Sequence, residues 1–206
     1  MLNEQIKAHV RGIKADPKAQ MRRGIRSSVR GLWSNVFGRT DFVANMEASI
    51  RRGLRSAWAE GAGKAGILEN ELTQDELIAR ENFISNQFSY IGGFADSIEA
   101  SPKGVGKLTP FFERAEMWVN RYTDAVNQAF VMANENLKLK WFYGDTQHCE
   151  DCDYYNGKVY RAKVWARYGI RPQSILLACH GFKCKCEFVE TDEPVTPGRP
   201  KKMKYM

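Results

Sequence analysis

The chain of 206 residues lacks any long hydrophobic run. No window approaches the roughly 18 uncharged apolar residues that a membrane-spanning helix requires. Residues 1–7 have no apolar core, so they are not typical of a signal peptide. We therefore expect the protein to be made and to act in a reducing cytoplasm, where disulfides are rare.

Motifs of common enzyme classes are also missing. Residues 61–64 and 104–107 each contain Gly-x-Gly-Lys, but they lack the earlier glycine and the following Ser or Thr of a phosphate-binding loop. The zinc deaminase pattern, H-x-E followed by P-C-x-x-C, is absent. We therefore expect that the protein is not an enzyme. A nuclease or transferase with a site near His148, Asp151 and His180 is the less favoured alternative, since no carboxylate pair or histidine cluster has catalytic spacing.

The charge is unevenly distributed. Hydrophobic residues make up 43% and aromatic residues 12% of the chain, which is a composition that folds. Its net charge of +7 resides at the two ends: residues 1–66 carry +8 and residues 196–206 carry +4. Residues 67–140 carry −4, and residues 141–195 carry −1. The basic ends suit an anionic partner, such as DNA or an acidic protein surface.

Arginines of the N-terminal third are the candidate contacts with nucleic acid or a partner. They are Arg22, Arg23, Arg26, Arg30, Arg51, Arg52 and Arg55. Trp33, Phe37 and Trp58 are candidate groups for stacking on bases. The alternatives are a solvated basic face for the arginines and a place in the hydrophobic core for the aromatic residues.

Two helices are predicted in the first half of the chain. Thr40 is a plausible N-cap for a helix over about 41–60, which carries an apolar stripe. Thr73 and Glu76 have the spacing of a capping box, which opens a helix over about 74–100. Gly92 and Gly93 are expected to interrupt this second helix.

A third helix has the clearest pattern in the chain. Thr109 followed by Pro110 is a strong helix start. Apolar residues then recur at helical spacing as far as Leu137, which is typical of a core-facing stripe. We therefore predict a helical bundle over residues 40–140.

The remaining segments differ in character. Residues 1–39 are basic and rich in Arg and Gly, and we expect one or two weak helices that are ordered mainly by a partner. Residues 141–190 contain all five cysteines and short strand-like pieces, and they have too few apolar residues for a core of their own. Residues 191–206 are Pro-rich and basic, and we expect a flexible tail. The predicted fold class is thus mainly α: a helical bundle followed by a small α+β zinc-knuckle-like module, with basic flexible ends.

The cysteine spacing predicts a structural zinc site. Cys149 and Cys152 form a C-x2-C pair, and a C-x4-C-x-C group follows after 26 residues. Two such tight turns can complete a tetrahedron of sulfurs around Zn2+. Four thiolates and one Zn2+ carry about −2, which Lys183 and Lys185 would offset.

The ligand set has several solutions. We favour Cys149, Cys152, Cys179 and Cys184, while Cys186 or His180 could replace one of the last two. The other interpretations are buried or free cysteines without metal, and a nucleophilic cysteine at position 179. The nucleophilic site is disfavoured because the side chains of adjacent residues, such as Cys179 and His180, usually point apart.

Four runs of sequence carry a family resemblance: WFYGDTQHCEDC (141–152), NGKVY (156–160), WARYGIRP (165–172) and LACHGFKCKC (177–186). Together they resemble the cysteine-bearing C-terminal module of phage Mu F-like minor head, or head morphogenesis, proteins. The resemblance covers about 141–190. One departure is that three residues separate His180 from Cys184, where family members often have two.

The resemblance implies a structural role. The expected protein is a minor virion component in few copies near the portal vertex, which assists head assembly and contacts capsid or portal proteins. Packaged double-stranded DNA is a further candidate partner. The protein would be assembled in the bacterial host cytoplasm, would be able to form an oligomer on the virion, and would not contact a membrane. From the residues alone, a stand-alone zinc-stabilised nucleic-acid-binding protein is the main alternative.

Overall fold

The computed structural model describes residues 16–102, 106–182 and 184–201. Its α-helices are α1 (Pro17–Trp33), α2 (Arg39–Lys64), α3 (Gln74–Phe88), α4 (Ile91–Glu99), α5 (Thr109–Ala133), α6 (Glu150–Tyr155) and α7 (Ala162–Arg167). A short 3-10 helix spans Glu69–Glu71. In the antiparallel sheet, β1 (Lys138–Phe142) lies between β2 (Val159–Arg161) and β3 (Glu187–Glu190). This mainly helical fold with a small sheet near the cysteines confirms the predicted fold class.

Helices α1, α2 and α5 form the centre of the bundle. Their apolar stripes meet in one core together with α4 and Ile84 of α3. The stripe predicted for α5 is confirmed, since Trp118, Ala125 and Ala129 are buried. Helix α5 begins at Thr109 with Leu108 as its N-cap, one residue earlier than predicted. None of the described helices is both long and apolar enough to span a membrane.

Helix α1 corrects the expectation for the N-terminal segment. Met21, Ile25 and Val29 lie on one face of α1 and are buried against α2 and α5. Residues 16–33 are therefore ordered by the chain itself and not mainly by a partner, because an amphipathic helix gains stability by burying its apolar face. The prediction for residues 1–15 lies outside the described residues.

The other helix boundaries differ from the sequence pattern in small ways. Helix α2 begins at Arg39 with Gly38 as its N-cap, so the predicted cap at Thr40 is wrong. The capping box is confirmed: the Thr73 N–H donates to Glu76 Oε2 at 2.8 Å, and Thr73 Oγ1 accepts from the Glu76 N–H at 3.3 Å. The break between α3 and α4 falls at residues 89–90, before the glycine pair, which lies within α4.

Two glycines of α2 offer a matched pair of substitutions. A Cβ at Gly61 would lie 2.2 Å from the Val126 carbonyl oxygen, whereas a Cβ at Gly63 meets nothing within 4 Å. Gly61→Ala is expected to separate α2 from α5 and to lower the free energy of unfolding by more than about 1 kcal/mol. Gly63→Ala should raise it by up to about 1 kcal/mol, because alanine favours the helix. Urea denaturation of the two variants measures both effects, and equal values would contradict the close approach of the helices.

The cysteine-rich segment has a core of its own, contrary to our expectation. Trp141, Tyr155 and Trp165 are fully buried and pack with Tyr160 and Phe188 through tilted and edge-to-face ring contacts. The indole N–H of Trp165 donates to the Leu139 carbonyl at 3.0 Å. The prediction failed because a few large aromatic side chains bury as much surface as many aliphatic ones.

Residues 191–201 lie along the sheet, so the expectation of a flexible tail is wrong for them. The Thr196 N–H donates to the Val159 carbonyl at 2.8 Å, and Thr196 Oγ1 accepts from the Val159 N–H at 2.9 Å. The Tyr155 hydroxyl donates to the Lys201 carbonyl, and Pro200 is buried. Residues 202–206 lie outside the described residues.

Candidate metal centre

The first pair of cysteines lies at the start of α6. Cys149 is the N-cap residue, in extended conformation, and Cys152 belongs to the first turn of the helix. This single turn places both side chains on one side, with their Sγ atoms 3.6 Å apart. The C-x2-C spacing therefore brings the two sulfurs together on one side of a tight turn, as predicted.

The second group of cysteines follows a series of tight turns. The His180 N–H donates to the Leu177 carbonyl at 2.7 Å, and the Phe182 N–H donates to the Cys179 carbonyl at 2.8 Å. His180 and Gly181 have φ angles of 49° and 71°, so the chain reverses direction directly after Cys179. This reversal returns the chain towards α6, where Cys184 and Cys186 are buried.

One hydrogen bond and one close approach hold the two cysteine groups together. Asp151 Oδ2 accepts from the Ala178 N–H at 2.7 Å, which links α6 to the turn before Cys179. A Cβ at Gly144 would lie 2.0 Å from the Lys185 carbonyl oxygen, so only glycine allows this approach. Neither contact was predicted from the sequence, although Asp151 stands out as an acidic residue between Cys149 and Cys152.

The five cysteines form two overlapping triads that share Cys152. Cys149, Cys152 and Cys179 have all their Sγ atoms within 4.8 Å of one another, and so do Cys152, Cys184 and Cys186. The Cys152 and Cys184 sulfurs are 4.0 Å apart. All five are free thiols.

This arrangement fits a bound metal ion. In a tetrahedral site with Zn–S bonds of about 2.3 Å, neighbouring sulfurs are roughly 3.8 Å apart. The observed Sγ–Sγ separations of 3.6 and 4.0 Å lie on either side of that value. Cys152, Cys184 and Cys186 are buried, and Cys149 and Cys179 are half-buried. Thiolates suit softer metal ions such as Zn2+, whereas Mg2+ and Ca2+ prefer oxygen ligands. The cysteines can therefore bind a metal ion.

The pKa values of the cysteines favour the replacement of thiol protons by a metal ion. Hydrogen bonding with the Cys152 thiol lowers the pKa of Cys179 to about 4 and the pKa of Cys184 to about 7. Because Cys152 holds a proton that its neighbours share, its own pKa is raised. Thiolates are the form that binds metal, so a metal ion would take the place of the shared protons.

The two histidines of this region lie outside both triads. His180 Nδ1 is 2.9 Å from the Ile175 carbonyl oxygen, and the side chain is exposed. The His148 ring stacks on Tyr143, with ring centroids 3.7 Å apart, and its Nδ1 lies 3.7 Å from Cys186 Sγ. Within the described part of the chain, neither histidine belongs to a group with metal-ligand geometry. The favoured set of Cys149, Cys152, Cys179 and Cys184 stays a prediction, with Cys186 as the better placed of its two alternates.

The residues named for the nuclease or transferase alternative each contact other groups of the chain. Asp151 accepts from the backbone of Ala178, and His180 Nδ1 lies beside the Ile175 carbonyl. His148 lies between Tyr143 and Cys186. This arrangement serves the structure of the cysteine turns.

A buried charge cluster joins the bundle to this centre. Asp124 of α5 is only 1% exposed and accepts from two guanidinium groups, Arg121 at 3.4 Å and Arg171 at 2.8 Å. Arg121 also donates to the His180 carbonyl at 2.8 Å. Burial lowers the pKa of Arg121, while Asp124 and Cys179 raise it. This cluster was not predicted from the sequence, although charged residues inside the apolar stripe of α5 indicate buried ion pairs.

The seven candidate contact arginines fall into two groups. Arg22 and Arg26 form ion pairs with Glu116 at 3.0 and 2.9 Å, and Arg51 and Arg55 pair with Glu81 at 3.2 and 3.1 Å. The other three candidate arginines form no ion pair among the described residues. They are Arg23, Arg30 and Arg52, and all three are exposed.

The three candidate stacking groups are engaged inside the molecule. Trp58 is fully buried and Trp33 packs against the bundle core. Phe37 covers Gly31, where a Cβ would lie 2.1 Å from its ring. Trp58 is therefore a core residue, as the alternative interpretation held.

Lys185, one of the two lysines expected to offset the charge of the centre, is exposed. Lys183 lies outside the described residues.

Comparison with known proteins gives no relatives: the chain matches no protein-family model, no curated protein and no solved structure.

Proposed function

We propose that this chain is a structural minor head protein of a tailed bacteriophage, present in few copies near the portal vertex and acting in head assembly. The observation that supports the proposal best is that the C-x2-C and C-x4-C-x-C groups meet in two sulfur triads that share Cys152. Those are the motifs through which residues 141–190 resemble phage Mu F-like minor head proteins.

The attachment of the cysteine-rich segment, residues 141–190 (the module), to the bundle also supports this role. Helix α5 leads through residues 134–137 into β1, and Asn127 of α5 donates to the Pro172 carbonyl at 3.0 Å. Ion pairs and hydrogen bonds therefore hold the module against the bundle, as suits a protein that bridges other proteins in an assembly. No catalytic residue is part of the proposal.

Particle analysis tests the proposal. Purified heads of the phage that encodes this chain are expected to contain it, and labelling in electron micrographs is expected to mark one vertex. Deleting the gene should yield defective or poorly infectious heads, and the wild-type chain supplied in trans should restore them. Normal infectious particles without the protein would contradict the proposal.

Contact with DNA is the second candidate function, favoured by the exposed arginines of α1 and α2. Arg52 lines a groove between these helices together with Gln20, Ser49 and Ser56. Arg23 and Arg52 are exposed and form no ion pair within the described ranges, so they can pair with phosphate groups without breaking an internal contact.

Salt-dependent binding to duplex DNA tests this contact. Each phosphate contact adds about 0.9 to the slope of log affinity against log salt. We expect Arg23→Gln with Arg52→Gln to reduce the slope by about 1.8, because both phosphate contacts are lost. Arg22→Gln with Arg26→Gln removes the same charge from the residues paired with Glu116, and it should leave the slope nearly unchanged. A flat slope in the wild-type protein would exclude an electrostatic mode.

A further inference from the structure

The junction between the bundle and the cysteine module contains an unbalanced buried charge. The side chains of Arg121, Asp124 and Arg171 are 5%, 1% and 13% exposed. Two guanidinium groups share one carboxylate, so the cluster keeps one net positive charge. Buried charges are costly unless another charge offsets them, so this excess needs an anionic partner.

Arg121 is the member of the cluster that contacts the cysteine turn. Its Nη2 donates to the His180 carbonyl at 2.8 Å, one residue after Cys179. A Cβ at Gly181 would lie 3.0 Å from the same nitrogen. The guanidinium therefore fills the inside of a turn whose two central residues have positive φ angles.

A thiolate centre supplies the missing negative charge. Four thiolates around Zn2+ carry about −2, and Cys179 lies within electrostatic reach of Arg121. Asp124 accepts from Nη1 of Arg121 at 3.4 Å and from Nε of Arg171 at 2.8 Å. The orientation of Arg121 is thus fixed by contacts with Asp124 of its own helix and with the turn after Cys179.

We propose that Arg121 is a positioning residue of the metal centre, which holds the turn carrying Cys179 in place and offsets the negative charge of the thiolates. This inference rests on the metal site described above and extends it, since it makes metal affinity depend on a residue of the bundle. Groups that orient metal ligands from outside typically contribute 10- to 100-fold to metal affinity.

Zinc binding to the full-length chain tests the proposal. The dissociation constant is measured by competition with a chromophoric chelator, with Zn2+ alone as the probe. Arg121→Met is expected to weaken binding about 10- to 100-fold. Arg121→Lys should weaken it less, because lysine keeps the charge but not the planar fork.

Arg114→Met is the matched control. Arg114 lies seven residues earlier on the same helix, is exposed, and donates to Ser97 Oγ at 2.8 Å. This variant should bind zinc as the wild-type chain does. Wild-type affinity in Arg121→Met as well would overturn the proposal.

Stability measurements separate positioning from a purely structural role. For each variant, the urea midpoint is compared between zinc-loaded and chelated protein. A positioning role predicts that Arg121→Met reduces the increment that zinc adds, whereas a structural role would lower both midpoints equally and overturn the proposal.

Three outcomes would overturn the proposal. If Arg121→Met does not fold, Arg121→Gln and Arg121→Lys replace it, and equal wild-type affinity in both would overturn the proposal. A wild-type chain that binds no zinc would overturn the metal site and this inference together. Wild-type zinc binding with an unaffected Arg121→Met variant would overturn this inference alone.

Discussion

Replacing Cys152 with serine is expected to abolish zinc binding. Cys152 is the only cysteine common to both sulfur triads, and its Sγ lies 3.6 Å from that of Cys149 and 4.0 Å from that of Cys184. We therefore expect Cys152 to be one of the ligands, and a serine hydroxyl is a poor substitute for a thiolate. Metal analysis should find about one zinc per wild-type chain and less than about one tenth of that in Cys152→Ser, if affinity falls by the several kcal/mol typical of a lost ligand.

The remaining cysteines provide the controls for this experiment. Because a tetrahedral site needs four ligands and the cluster has five thiols, one of the other serine variants should keep its zinc. The favoured set predicts that this variant is Cys186→Ser and that Cys149→Ser, Cys179→Ser and Cys184→Ser lose the ion. Retention of zinc by Cys152→Ser would contradict the shared position of Cys152.

Replacing Trp165 with alanine is expected to lower the free energy of unfolding by about 3–5 kcal/mol. Trp165 is fully buried and contacts Trp141, Tyr155, Tyr160 and Phe188. The substitution would leave a large cavity and would remove the donor to the Leu139 carbonyl. Urea denaturation of the zinc-loaded protein measures the loss.

Phe142→Ala is the control for the aromatic core. Phe142 belongs to the adjacent strand β1 but is 51% exposed, so its loss should cost no more than about 1 kcal/mol. If Trp165→Ala were no more costly than Phe142→Ala, the aromatic cluster would not be the main core of the module. The module would then depend on its metal ion, as we expected from the sequence.

The helices were predictable because their signals are local. The apolar stripe of α5 and the capping box of Thr73 and Glu76 depend on residues three or four positions apart. Strand β1 was missed because Leu139 and Trp141 continue the apolar pattern of α5. Their alternation with Lys138 and Lys140 was the available signal, since a period of two is typical of a half-buried strand.

The candidate site was predictable only as far as its cysteines. Spacing brings Cys149 and Cys152 together within one turn, and it suggested that the second group would join them. The contact of Arg121 with His180 could not be predicted, because it joins residues 59 positions apart. Such contacts depend on how the module docks on the bundle, which no local pattern encodes.

The sheet order has a consequence for the behaviour of the protein at high concentration. An open strand edge is a template for pairing with another molecule, which leads to aggregation. The edge at β2 is occupied by the chain itself, since Thr196 hydrogen bonds to Val159 on both of its backbone groups. The other edge strand, β3, begins and ends with the carboxylates of Glu187 and Glu190, whose charge repels a second copy. A three-stranded sheet at the surface is in this way protected from edge-to-edge association on both sides.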